Sequence, residues 1–271
     1  MIKVRDVTGG TMTESPEQGK PRTAVIAGVA NKYSIAWGVA QALADEGYEL
    51  CLTYADERLQ EKVEELAATL PKAFMLPFNV SRDEDFVNLG KALAEKWDGL
   101  DGCVHSIAFA NREDLGGEFV KTSREGWKVA NEISAWSFVA MVNAVLPLLE
   151  KRKGAAVTMS YLGGQRVVPN YNVMGVAKAA LEMSAKYLAV ELGRRGIRVN
   201  VVSPGPIKTL AAKGISGFGE MHRLFVERSP LGRPITIEEV GATTAFILSA
   251  KGTGITGRVI FVDGGHEIIG Y

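Results

Sequence analysis

The chain has 271 residues, 46% of them apolar, with 31 basic against 31 acidic side chains. That length and apolar share suffice for one sizeable α/β core. The zero formal charge argues against a nucleic-acid partner, which usually selects a basic excess.

Cys51 and Cys103 lie in separate apolar stretches, and His105, His222 and His266 are far apart. Neither set has the spacing of a disulfide framework or a metal site, so buried thiols in a reducing compartment are expected. No apolar run approaches the ~18 residues of a membrane span. Residues 1–21 read as a flexible leader without a secretory signal. A cytoplasmic location with no membrane partner is the expectation.

From residue 22 onward, short β-branched runs alternate with helical patterns. The predicted strands are Thr23–Gly28, Glu49–Tyr54, Ala73–Asn79, Gly102–Ile107, Ala155–Ser160, Arg198–Ser203 and Val259–Val262. Between them, Leu59, Val63, Leu66 and Leu70 share one helical face, as do Phe86, Leu89, Leu93 and Trp97. Thr122 with Glu125, and Thr236 with Glu239, read as capping boxes. Gly154 and Gly196 stand where helix C-caps would fall. Such alternation implies a Rossmann-like, doubly wound parallel sheet of about seven strands, as one domain over residues 22–271. The stretch 206–230 breaks the rhythm after the sixth strand and reads as a substrate lid.

The first strand runs into Gly28-Val29-Ala30-Asn31-Lys32-Tyr33-Ser34-Ile35, then a helix. A dinucleotide pyrophosphate is received at such a turn by backbone N–H groups and a helix N-terminus. Gly28 permits the turn, Ala30 a close backbone approach, and Ser34 a cap or a phosphate contact. The second strand ends at Ala55-Asp56-Glu57, where carboxylates disfavour an extra phosphate. NADH is therefore expected over NADPH. These acids also suit the opening of the next helix.

After the fifth strand come Ser160-Tyr161-Leu162-Gly163 and then a helix carrying Tyr171 and Lys178. Seven helical steps fall ~20° short of two turns, so both side chains would project from one face, ~10 Å apart along the axis. A phenol beside an ammonium is a proton donor whose acidity the cation raises.

These segments resemble the short-chain dehydrogenase/reductase superfamily and, within it, bacterial NADH-dependent enoyl-[acyl-carrier-protein] reductases. The resemblance spans about residues 22–271. It is carried by Gly28–Gly38, His105–Ala110, Ser160–Gly163, Pro169–Lys178, Gly205–Ala211 and Val262–Gly265. Most superfamily members place the tyrosine four residues before the lysine, here Met174, and a serine thirteen residues before that tyrosine, here Tyr161. The pattern Tyr161, Tyr171, Lys178 instead fits the enoyl-reductase branch. A carbonyl reductase and a non-catalytic NAD-binding regulator are the alternatives.

The resemblance implies Tyr171, Lys178 and Tyr161 as catalytic residues in reducing the trans-2 double bond of an enoyl thioester on acyl carrier protein. It implies cofactor contacts at Gly28, Ala30, Ser34, Ile35, Ala55, Asn79, Val80, Ser106, Ile107 and Lys178, and from the loop Ile207, Lys208, Thr209, Leu210 and Ala211. Ala110, Met174, Ile215 and Phe218, with the two tyrosines, would meet the acyl chain. A homotetramer is implied, and no metal. Asn79, Ala55 and Ala108 depart from residues common in relatives: Asn79 would still accept from an adenine, and Ala108 would narrow the site beside the nicotinamide. Lys208, Lys213, Arg223 and Arg228 are candidates for a basic rim facing the carrier, with Glu220 among them.

Overall fold

The computed structural model describes residues 20–209, 212 and 217–270. Seven strands form one parallel sheet in the order β3-β2-β1-β4-β5-β6-β7. They are β1 (Thr23–Ala27), β2 (Glu49–Tyr54), β3 (Ala73–Pro77), β4 (Gly102–His105), β5 (Ala155–Met159), β6 (Arg198–Pro204) and β7 (Val259–Val262). The central strands β1, β4 and β5 are buried along their whole length. They read as continuous apolar runs because helices cover both sheet faces.

On one face pack α3 (Asp83–Lys96), α5 (Ser137–Arg152) and α6 (Asn172–Gly193), around Phe138, Met141, Leu149 and Leu181. On the other lie α1 (Ile35–Asp45), α2 (Glu57–Ala67) and α8 (Ile237–Leu248), around Trp37, Leu43, Leu50 and Ile247. Truncating a ring such as Phe138 to alanine typically costs about 3–5 kcal/mol, as lost transfer energy plus a cavity. Helices α1 and α8 cross backbone to backbone: a Cβ on Gly38 would overlap the Ile237 carbonyl, and one on Gly241 the Gly38 carbonyl.

Helix ends depart from expectation in instructive ways. Thr236 and Glu239 do form the capping box of α8. The cap of α4 (Arg124–Asn131) is Ser123, whose hydroxyl accepts from the Gly126 N–H. Thr122 instead donates to the Phe119 carbonyl at 2.7 Å. At the end of α5 the left-handed residue is Lys153 (φ 50°), not Gly154, whereas Gly196 does take positive φ, 82°. Gly154 serves close packing, since a Cβ there would overlap the Leu100 carbonyl.

Helices α4 and α5 join through a π-turn, Glu132–Trp136. The resulting helix, Arg124–Arg152, is long and apolar enough by composition to cross a membrane, contrary to the expectation that no apolar run approaches that length. Phe138, Met141, Val142, Val145 and Leu149 of that helix lie in the core beneath the sheet. Both cysteines are buried and free.

Candidate active site

The strand order reverses direction between β1 and β4, and in open parallel sheets the crevice at such a switch point takes ligands. A cleft of about 440 Å³ opens there, along the carboxyl ends of the strands. Gly28, Ala30, Ser34 and Ile35 line its centre, Ala55, Asn79 and Val80 one end, and Ser106, Ile107, Lys178 and Thr209 the other. Gly28 has φ 104°, and a Cβ on it would overlap the Ser106 carbonyl, so the turn after β1 seats directly on the loop after β4.

A second cavity of about 380 Å³ continues from the first. Ala110, Tyr161, Tyr171, Met174, Ile207 and Phe218 line it, and Ile35, Ala108, Phe109, Ser160 and Thr209 border both spaces. Lys208 faces a separate surface depression beside Lys32 and His222. Leu210, Ala211, Ile215 and Lys213 lie outside the described residues.

Ser34 is the N-cap residue of α1, yet its hydroxyl donates backward to the Asn31 carbonyl at 2.6 Å and caps nothing. By contrast α2, α4 and α8 are each capped by their own side chains. The first turn of α1 thus presents uncapped backbone N–H groups to the cleft, which suits a pyrophosphate. At the far end Asp56 accepts from the Arg58 N–H as cap of α2 and pairs with the Arg58 guanidinium at 2.9 Å. The helix-opening role of these acids is the one realised, and the pairing keeps the guanidinium on Asp56. Asn79 Oδ1 accepts from the Ser81 N–H at 3.0 Å, which orients the amide and leaves one lone pair of that oxygen for the cleft. With a buried cation at one end and unpaired N–H groups at its middle, the cleft fits a dinucleotide.

Tyr171 is the cap residue of α6 rather than a residue within it, and its carbonyl accepts from the Met174 N–H at 2.9 Å. Its ring meets that of Tyr161 edge-on, centroids 5.0 Å apart. Burial, with Tyr161 beside it, pushes the Tyr171 phenol far above the ordinary tyrosine range. Burial alone pushes Tyr161 up to about 12. The expected acidification of Tyr171 by Lys178 is therefore absent: desolvation dominates, and both phenols stand as neutral hydrogen-bond donors. Lys178 donates to the Met159 carbonyl at 2.7 Å, and burial brings its ammonium down to about 8 against an opposing pull from Glu182.

Several polar groups around the site gave no local signal in sequence. His105 is fully buried, its Nε2 2.8 Å from Ser137 Oγ and its Nδ1 2.9 Å from Thr158 Oγ1. The Ser137 hydroxyl also donates to the Ile133 carbonyl at 2.6 Å and the Thr158 hydroxyl to the His105 carbonyl at 3.2 Å, while burial keeps the ring neutral. Ser134, in the π-turn, bonds both the N–H and the carbonyl of Phe109 and so fixes the wall between the cavities. π-turns are frequent at such sites. Glu182 alone was detectable in principle, as an acid four residues beyond Lys178 on α6.

Above the second cavity lies α7 (Phe218–Arg228). The Tyr161 hydroxyl donates to Met221 Sδ at 3.4 Å, and the Phe225 ring packs where a Gly205 Cβ would be. Arg223 is held by Glu220 at 2.7 Å and Glu227 at 2.8 Å, which cancels its charge for a basic rim.

Residues 28–267 match the family model described as enoyl-(acyl carrier protein) reductase. The chain belongs to the enoyl-(acyl carrier protein) reductase family. The NADH enoyl-[acyl-carrier-protein] reductase FabI of Aquifex aeolicus is 47% identical over 92% of this reductase and 92% of its own length. Among solved structures, the Bacillus cereus reductase, described with NADP+ and indole naphthyridinone, has TM-score 0.90 and 48% identity, over 92% of this chain and 98% of that one. The Anaplasma phagocytophilum reductase, described in complex with NAD, has TM-score 0.88 and 43% identity, covering 92% and 95% respectively.

Proposed function

We propose that this reductase uses NADH to saturate the trans-2 double bond of an enoyl thioester on acyl carrier protein, the reductive step of type II fatty-acid synthesis. The observation that carries the reading is the placement of Tyr171: a phenol kept protonated in an apolar cavity that opens onto the cleft holding the Lys178 ammonium. NADH, when bound, supplies the hydride that goes to the β-carbon of the enoyl group.

The residues of the chain do the rest. As the hydride adds, charge develops on the thioester oxygen, and Tyr171 donates its hydrogen bond there, where it strengthens as the transition state forms; a proton taken up at the α-carbon, ultimately from solvent, then converts the enolate to the saturated thioester. Desolvation around the phenol magnifies that bond. Lys178, which lines the cleft, would hold the nicotinamide ribose hydroxyls. Tyr161 and Met221 close the second cavity over the acyl group, and Met174 and Phe218 give it an apolar lining. Ala108, on the border of both spaces, narrows the nicotinamide end.

Ala55, just after β2, has no polar side chain for an added 2′-phosphate and Arg58 is paired with Asp56, which supports NADH over NADPH. Met183, Tyr187 and Val190 form an exposed apolar stripe on α6, and Trp127 and Trp136 are exposed on the long helix. Such surface supports assembly with further copies, in keeping with a homotetramer; a cytoplasmic location is proposed with the same function.

Loss of the NADH absorbance band with a short 2-enoyl thioester, wild type beside Tyr171→Phe, tests the reading. Turnover by the wild type should fall about ten- to a thousandfold in the variant, the usual cost of one lost oxyanion donor. Equal rates would remove Tyr171 from the chemistry.

A further inference from the structure

Lys178 and Glu182 are one turn apart on α6 and both are buried, 4% and 5% exposed. A buried carboxylate persists only with partners that replace water. Glu182 has two: the Ser160 hydroxyl donates to Oε1 at 2.6 Å and the Gln165 amide to Oε2 at 2.8 Å. Both donors belong to the segment leaving β5, the segment that carries Tyr161 and borders both cavities. The same segment lies against α6 so closely that a Cβ on Gly164 would come within 3.0 Å of both Glu182 Oε1 and the Lys178 carbonyl carbon. Lys178 itself is tethered to Met159, the last residue of β5. The loop, the ammonium and the carboxylate thus form one unit at the cleft floor, and the steps proposed above make no use of Glu182.

We propose that Glu182 is a positioning residue for Lys178: it clamps the Ser160–Gln165 segment onto α6 and supplies the counter-charge for the ammonium beneath the cofactor. The inference rests on the NADH reading of the cleft. A charge-neutral clamp would serve packing equally well, whereas a carboxylate also favours the charged amine. The other titratable groups near Lys178 are His105 of β4, which is neutral and burdened rather than helped by the amine, and the neutral phenols Tyr161 and Tyr171. Among these, Glu182 is the group that opposes the desolvation of Lys178.

The test is NADH binding, read by fluorescence titration from pH 6.5 to 10, on wild type and Glu182→Gln, with thermal melts to establish folding. Wild type should bind NADH and lose affinity on the alkaline side as the buried amine discharges. Glu182→Gln keeps the shape and one acceptor for Ser160. Its alkaline midpoint should move acidward by about one pH unit, with a melting temperature near that of wild type. An unmoved midpoint in a folded variant overturns the proposal. Should Glu182→Gln not fold, Gln165→Leu decides: it loosens the clamp at an exposed side chain and should weaken NADH binding about two- to fivefold at pH 7. Unchanged affinity there overturns the proposal. Failure of the wild type to bind NADH at any pH is a different result, and strikes the parent reading.

Discussion

The hydroxyl of Tyr161 donates to the sulfur of Met221, 3.4 Å away on α7, while its ring stands edge-on to Tyr171. One side chain thus ties α7 to Tyr171, the residue proposed to meet the thioester oxygen.

Tyr161→Phe keeps the ring contact and deletes the tether. A hydroxyl–thioether bond is worth about 1 kcal/mol or less, so the expected loss in kcat/KM is about two- to tenfold, expressed mainly as a higher KM for the enoyl thioester. Steady-state kinetics beside Tyr171→Phe separate the roles: a loss in kcat as large as that of Tyr171→Phe would make Tyr161 a second proton donor.

His105 is held neutral, and burial, aided by the Lys178 charge, takes its titration down to about 3. The unfolded ring titrates near 6.5, so between these values the unfolded state binds more protons and stability falls as pH falls. The slope from this one group is about 1 kcal/mol per pH unit. In His105→Asn, urea unfolding should show roughly 1–3 kcal/mol less stability at pH 7 but a shallower decline toward pH 4. Parallel declines in the two proteins would show that another group sets the acid limb.

Gly28→Ala places a methyl into the Ser106 carbonyl at a backbone conformation that L-residues rarely adopt. Destabilisation of about 2 kcal/mol or more is expected, and NADH binding should be lost even where the fold survives, because the turn and the loop after β4 must part. A variant with wild-type NADH affinity would mean that the turn does not border the dinucleotide.

What could be read from sequence was whatever depends on neighbours along the chain. Val25, Val157 and Val201 announce their strands by β-branched runs. Lys178 is legible as a helical residue, whereas the helical spacing expected of Tyr171 fails because that residue caps α6 from outside it. The misreadings sit where two local options compete: Ser123 and Thr122 both carry a hydroxyl able to cap α4, and Ser34 can bond forward to its helix or back to Asn31. Tertiary packing chose in each case. His105, Ser137 and Thr158 meet across two strands and a helix, so no window of sequence contains them together. The π-turn likewise answers to Phe109, 25 residues upstream of Ser134.

The partition between the two cavities is built from side chains that belong to both, Ile35, Ala108 and Phe109 among them. A molecule seated in either space completes the wall of the other, so the two occupancies cannot be independent in free energy. Whatever factor the cofactor adds to the affinity of an acyl compound, the acyl compound must return to the cofactor. Dissociation constants measured for one ligand alone therefore describe a different protein from the one that turns over.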